Sequence, residues 1–286
     1  MTQNLAAKYE AKVDERFYKE SFTSQLCNND YTWDGVNSIY VYDIATAPIN
    51  NYSLSGLTRY GTANELNDNI TNYAITQDKS FTFTIDRKYL QDQGGAKVAG
   101  EALARQLREK VVPAIDKYRI GVMEAGADYN YSYGVSITKA NALENVVKGI
   151  KALGNSNVPT TDRFLISGFS FYANLVQDSA YIKACDLGQQ VMFTGQYGAV
   201  LGLPHIVVPD EYFADNTNFL IVHKSAVVAP VKLQDYFVRE NPVGVSGVLV
   251  EGRFRHDAFA LKNKKVGIYL NTAGAKPTGA TGTGAV

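Results

Sequence analysis

One long helical pattern constrains this chain more than anything else in it. From about residue 96 to 125, Val98, Leu103, Leu107, Val111, Ile115, Tyr118 and Val122 fall along one side. About 29 residues of helix would span roughly 43 Å, longer than a compact domain needs. A clean alternating strand precedes it, Ser80-Phe81-Thr82-Phe83-Thr84-Ile85-Asp86. Before that comes a polar, tyrosine-rich excursion, 51–79, with too few large apolar residues to build its own core. A chain that spends so much of itself on an arm, a strand and a rod is expected to finish its core on a neighbour. That expectation is of an assembly subunit. Pro113 sits inside the rod and removes one i to i−4 hydrogen bond, so a kink or a break is expected there.

The excursion carries Gly56 and Gly61 near its middle, flanked by Leu54, Leu57 and Tyr60. Its ends are strand-like, with Tyr52 on one side and Tyr73-Ala74-Ile75-Thr76 on the other. An extended β-hairpin with an irregular polar tip fits this, its arms of about 12 residues reaching roughly 40 Å. A long surface loop is the alternative; the alternating strand that follows favours the hairpin. Tyr52, Leu54, Leu57, Arg59 and Tyr60 are therefore candidate intersubunit contacts. Phe17 and Trp33, in the N-terminal part, are candidates too. Phe17 ends an amphipathic helical pattern over 4–20, with Leu5, Tyr9 and Val13. The polar run 25–32 follows, so the N-terminus reads as a docking arm.

Residues 36–44 are a strand candidate that Pro48 ends. After residue 125, Tyr129 to Tyr133 reads as a connector. Thr138 is expected to cap a helix whose apolar set is Ala142, Leu143, Val146, Val147, Ile150 and Leu153, with Gly154 as its C′ stop. A strand at 163–167, a short helix at 169–178 and strands at 200–208, 218–223 and 226–237 follow. An α/β sub-domain is thus expected over 127–229. A turn at 241–244 leads to a long strand pattern, 245–260, and then to 267–270. The Gly/Ala/Thr-rich tail, 273–286, is expected to be flexible. The fold class is α+β.

The chemistry is sparse. The chain is 45% apolar and 20% charged, a foldable globular composition, and its 28 basic and 28 acidic residues cancel. That balance leaves no electrostatic footprint for nucleic acid. No apolar run reaches the ~18 residues of a membrane span, and no signal peptide is expected. Cys27 and Cys185 are read as free buried thiols in a reducing compartment. His205, His223 and His256 share no ligand spacing, so no metal or other cofactor is expected. Ser170, in Gly168-Phe169-Ser170-Phe171-Tyr172, lies between a strand and a helix, but the second glycine of a nucleophile elbow is Tyr172. Ser170 is read as a helix cap. The 19 tyrosines suit half-buried surfaces.

Several phrases occur together in order. They are Lys12-Val13-Asp14-Glu15-Arg16-Phe17, Asn51-Tyr52 with Ser55-Gly56 and Arg59-Tyr60-Gly61-Thr62, and Gln77-Asp78-Lys79 running into the alternating strand. Val112-Pro113-Ala114-Ile115-Asp116-Lys117-Tyr118-Arg119 follows, then Gly247-Val248-Leu249-Val250-Glu251-Gly252-Arg253 with Asp257-Ala258-Phe259. Together they resemble major capsid proteins of tailed bacteriophages with the HK97-type fold, over roughly residues 9–270. The resemblance implies an N-terminal arm (1–34), a peripheral-domain strand (35–50) and an extended loop across an adjacent subunit (51–79). It further implies a return strand and spine helix (80–126), an axial domain (127–229), peripheral C-terminal strands (230–272) and the tail (273–286).

By the same resemblance, the function would be a non-catalytic shell protein of an icosahedral head, found in the virion and assembled in the host bacterial cytoplasm. Its partners would be its own copies, in hexamers and pentamers, with scaffolding, portal and decoration proteins as further candidates. The shell would enclose packaged double-stranded DNA without sequence-specific binding. An encapsulin-like compartment shell and a serine hydrolase using Ser170 are the alternatives. No long charged helical stretch precedes the arm, which suggests a separate scaffold or none. The lysine and asparagine of a covalent cross-link are not matched.

Overall fold

The structure is a computed structural model that describes residues 21–28, 38–44, 46–56, 58–62, 65, 68–88, 99–178, 181, 198–244 and 246–274. In chain order its strands are β1 (Ser38–Ile44), β2 (Asp68–Ala74), β3 (Gln77–Asp86), β4 (Asn130–Ser132), β5 (Arg163–Gly168), β6 (Ala199–Val200) and β7 (Leu203–Val208). Then come β8 (Thr217–His223), β9 (Val227–Val228), β10 (Val231–Glu240), β11 (Gly247–His256), β12 (Phe259–Ala260) and β13 (Ile268–Thr272). The α-helices are α1 (Ala99–Gln106), α2 (Val112–Gly126), α3 (Ala142–Asn155) and α4 (Phe169–Val176).

The largest sheet has the order β4-β13-β8-β5-β7-β6. Its strands are near-continuous apolar runs because both faces are covered. Leu165, Phe219, Ile221 and Tyr269 pack under α3 and α4 with Val146, Leu153, Phe171 and Leu175. The alternate residues, Ile166, Leu220, Val222, Ile268 and Leu270, pack under α2 with Ile120 and Met123. The strand period of two sends each residue to the face opposite its neighbour. Burying one such side chain is worth roughly 1.5–3 kcal/mol. Gly149 lets α3 lie close, since a Cβ there would stand 2.7 Å from Ile221 Cδ1 and 2.9 Å from the Tyr269 ring. β13 enters this sheet between β4 and β8, although the sequence grouped it with the C-terminal strands.

A smaller sheet, β10-β11-β3, is antiparallel. The alternation read from the sequence is borne out in β3: Phe81, Phe83 and Ile85 face inward and Thr82 and Thr84 outward. Phe81 and Phe254 pack with Leu107, Val111 and Ile115 on the helical rod. The other face carries charge, with Arg253 bonded through Nε (3.0 Å) and Nη2 (2.6 Å) to Asp78.

The rod is continuous over 99–126; its expected start near 96, with Val98, lies outside the described residues. Pro113 does not break it; instead Leu107–Val111, between α1 and α2, is π-helical. Val112 donates its N–H to the Leu107 carbonyl, an i to i+5 bond, immediately before the residue that lacks an N–H. The ladder thus shifts register where proline would otherwise leave a carbonyl unmatched.

Local stops differ from the expected ones. Thr138 does not cap α3; it opens a turn closed by Asn141, whose Oδ1 accepts the Thr138 N–H at 2.8 Å. Asn141 is the N-cap residue, and the Leu143 N–H is satisfied by buried Asp178 at 3.0 Å. Gly154 lies inside the helix rather than after it. Asn157 takes the left-handed conformation (φ 56°), with Val158 N–H donating to Leu153 O and Asn157 N–H to Gly154 O. This is a Schellman stop. Tail residue Ala273 is held by its N–H to Asn216 O at 2.7 Å, so the tail's first residue belongs to the fold.

Candidate assembly interface

β1 and β2 pair antiparallel from Ser38↔Ala74 to Ile44↔Asp68. The expected hairpin exists, but its outgoing arm is β1 rather than residues near Tyr52. Backbone bonds join the two strands; among the described side chains Ile39 is buried, while others face water. Tyr40 and Ile70 are exposed on the arms; Ile49, Tyr52, Leu54 and Tyr60 are exposed at the tip. Among the described residues, no strand pairing joins this two-stranded unit to either larger sheet.

The tip is not a loose loop. Ser53 N–H donates to Arg59 O, Gly61 N–H to Thr58 O and Arg59 Nε to Gly56 O, at 3.0, 3.0 and 3.2 Å. The rings of Tyr52 and Tyr60 meet edge-on at 5.0 Å. So Tyr52, Arg59 and Tyr60 form one knuckle, while Leu54 projects beyond it, 87% exposed. Leu57, Phe17 and Trp33 lie outside the described residues. An ordered tip presenting aliphatic and aromatic surface has the makings of an interface.

Two buried carboxylates that sequence reasoning missed tie the projecting segments to the body. Asp116, on α2, accepts the Ser21 hydroxyl (2.7 Å), the Phe22 N–H (2.8 Å) and the Thr23 hydroxyl (2.5 Å). Arg119, one turn on, donates to Thr23 at 3.2 Å. The end of the N-terminal segment is thereby fixed, with Leu26 and Cys27 inside the main core. Asp257, just past β11, accepts from Thr76, Tyr118 and Ala258. Burial, and then its bond to Asp257, pushes the Tyr118 hydroxyl up to about 12.

The residues singled out for catalysis have structural work. Ser170 donates its hydroxyl to Asp210 at 2.6 Å, and its N–H points at the same carboxylate. Asp210 thus caps α4, and Gly168 is needed because a Cβ there would collide with that carboxylate. The cap comes from Asp210, not from Ser170. His205 is bonded to Ser167 at 2.7 Å inside the core, and burial drives it down to about 4. His256 is lowered to about 4 by burial and then by the charge of Arg119; it stacks on Phe254. His223 is held by Ser225. Cys27 is a buried free thiol raised to about 11 by burial, as expected; Cys185 lies outside the described residues. Glu124 is raised by burial and accepts the Ala214 N–H. Among the described residues, no three His, Cys, Asp or Glu side chains converge as metal ligands, and no helix is long and apolar enough to cross a membrane.

No protein-family model matches the chain, and no curated protein matches it. Solved structures do. One from Mycobacterium phage Che8 superposes with a TM-score of 0.75 at 16% identity, covering 96% of this chain and 98% of that one. The capsid structure of cyanophage P-SCSP1u gives 0.69 at 13% identity, covering 92% and 91%. The mature capsid of bacteriophage PhiM1 gives 0.70 at 9% identity, covering 92% and 90%. At these identities the likeness is one of fold, and it runs nearly end to end in both chains. The chain has the α+β fold of phage capsid structures.

Proposed function

We propose that this chain is the major capsid protein of a tailed double-stranded DNA bacteriophage. It self-assembles into hexamers and pentamers of an icosahedral head and has no catalytic role. The observation that carries this is an ordered hairpin with exposed apolar side chains at its tip, on a chain that follows a capsid fold over nearly all of its length. Such a tip gains burial only against another molecule, and a second copy is always at hand in a shell.

In this reading the β1–β2 hairpin is the extended loop, with Tyr52, Leu54, Leu57, Arg59 and Tyr60 among its contacts. The rod is the spine helix, the small sheet with the rod is the peripheral domain and the large sheet is the axial domain. Phe17 and Trp33 contact neighbours from the N-terminal arm. The shell forms in the host cytoplasm, holds DNA without reading its sequence, and meets portal, scaffolding and decoration proteins as its further partners. The similar structures come from phages, which favours a head over an encapsulin-like compartment. The hydrolase alternative has no observation in its favour, because Ser170 is engaged by Asp210.

Negative-stain microscopy of the purified protein tests this directly. Closed shells or capsomers are expected. A monodisperse monomer at high concentration would overturn the proposal.

A further inference from the structure

On its β2 side the hairpin joins the body through a short link: β2 ends at Ala74 and β3 begins at Gln77, so Ile75 and Thr76 separate that strand from the small sheet. The two sheets share no strand pairing among the described residues. The angle between them depends on what holds residues 75 and 76.

Asp257 does the holding. It is 1% exposed, and each of its oxygens is doubly engaged. Oδ2 accepts the Thr76 N–H at 2.6 Å and the Thr76 hydroxyl at 2.9 Å. Oδ1 accepts the Tyr118 hydroxyl at 2.6 Å and the Ala258 N–H at 2.8 Å. The Thr76 and Tyr118 hydroxyls are themselves 3.4 Å apart, closing a ring between hinge, spine helix and β11. A second contact lies alongside: Tyr73 accepts the Lys262 N–H at 3.1 Å and its ring meets Phe259 at 5.0 Å.

We infer that Asp257 is a positioning residue that sets the direction in which the hairpin leaves the subunit. Thr76 is its partner in the hinge and Tyr118 its tie to the spine helix. The consequence for shells rests on the proposed function; the geometry does not. A carboxylate suits the site because four donors converge on it, two of them backbone N–H groups that can never accept. An amide at this position sets its NH₂ against either the Thr76 N–H or the Ala258 N–H and leaves donor facing donor whichever way it turns.

The test measures the hairpin in the unassembled subunit. Spin labels at Ser55→Cys and Lys151→Cys, in a Cys185→Ser background with Cys27 buried, report the distance from tip to body. A narrow distribution is expected for the parent chain. Asp257→Asn should broaden it at least twofold, Thr76→Val should broaden it less, and Thr76→Ser should restore it. Shell yield should fall about tenfold in Asp257→Asn, fall less in Thr76→Val and stay at the parent level in Thr76→Ser. A folded Asp257→Asn with the parent's distribution overturns the inference. Should Asp257→Asn not fold, a Thr76→Val distribution as narrow as the parent's overturns it instead. A parent chain that gives a narrow distribution but no shells would sink the proposed function and leave the positioning role standing.

Discussion

β8 and the hairpin tip both carry large apolar side chains, and these meet opposite fates. Phe219, Leu220, Ile221 and Val222 are fully buried, each side chain matched by a helix on its own face of the sheet. Ile49, Leu54 and Tyr60 are almost wholly in water. Both stretches are hydrogen-bonded and ordered, so order is not what separates them. The difference is where the covering surface comes from: the chain supplies it to β8, and in the proposed shell a neighbour supplies it to the tip. Stability of the subunit and ability to assemble should therefore be separable by mutation.

The sharpest way to break this contrast is in β8. Leu220→Ala should cost about 3 kcal/mol, lowering the subunit's melting temperature and shell yield together. Asp116→Ala leaves three donors facing a void and should cost roughly 3 kcal/mol or slightly less. Limited proteolysis should then cut within 21–28 while leaving the large sheet intact. Proteolysis that leaves the 21–28 segment as resistant as before would contradict the clamp.

A pH series sharpens the contrast from inside the core. His205 stands at about 4 in the folded chain against an ordinary 6.5, so protons prefer the unfolded state. Its contribution is intact above about 6.5, erodes as pH falls toward 4 and levels off below; the full span is on the order of 3 kcal/mol. His205→Gln should flatten that part of the melting profile. Smaller still, Asn157→Ala forces a Cβ-bearing residue without a polar side chain into the left-handed region and should cost about 1 kcal/mol, whereas Asn157→Gly should be neutral or better. At the far end, Leu54→Ala should change subunit stability by less than about 0.5 kcal/mol yet reduce shell yield clearly. A Leu54→Ala chain that assembles normally would remove Leu54 from the interface.

What could be read from the sequence was local. The alternation of Phe81, Phe83 and Ile85 and the long side of the rod are periodicities, and both survive in the fold. Partners could not be read. The apolar pattern of β1 does not say that β2, rather than a nearer segment, lies across from it, because pairing is a long-range choice. Thr138 and Gly154 are good local signals, but Asp178, 35 residues beyond Leu143, and Asn157 serve α3 instead. Asp116 and Asp257 look like ordinary surface carboxylates in one dimension. Apart from Ala258, their partners lie about a hundred residues away or more, at separations such as 94 and 181. Pro113 signalled a disturbance correctly, but whether the ladder gives way or shifts depends on packing that holds Leu107, Val111 and Ile115 against the small sheet.

That shifted ladder makes the rod something like a shared axle. Its first half grips the small sheet through Leu107 and Val111, and its second half grips the large sheet through Ile120 and Met123. Along a helix each residue turns the chain by about 100° and advances it 1.5 Å. A residue gained or lost between Leu107 and Val111 would therefore rotate one sheet against the other with every contact on either side left in place. Repeated around a closed surface, so small a twist within each copy would be read as a change of radius.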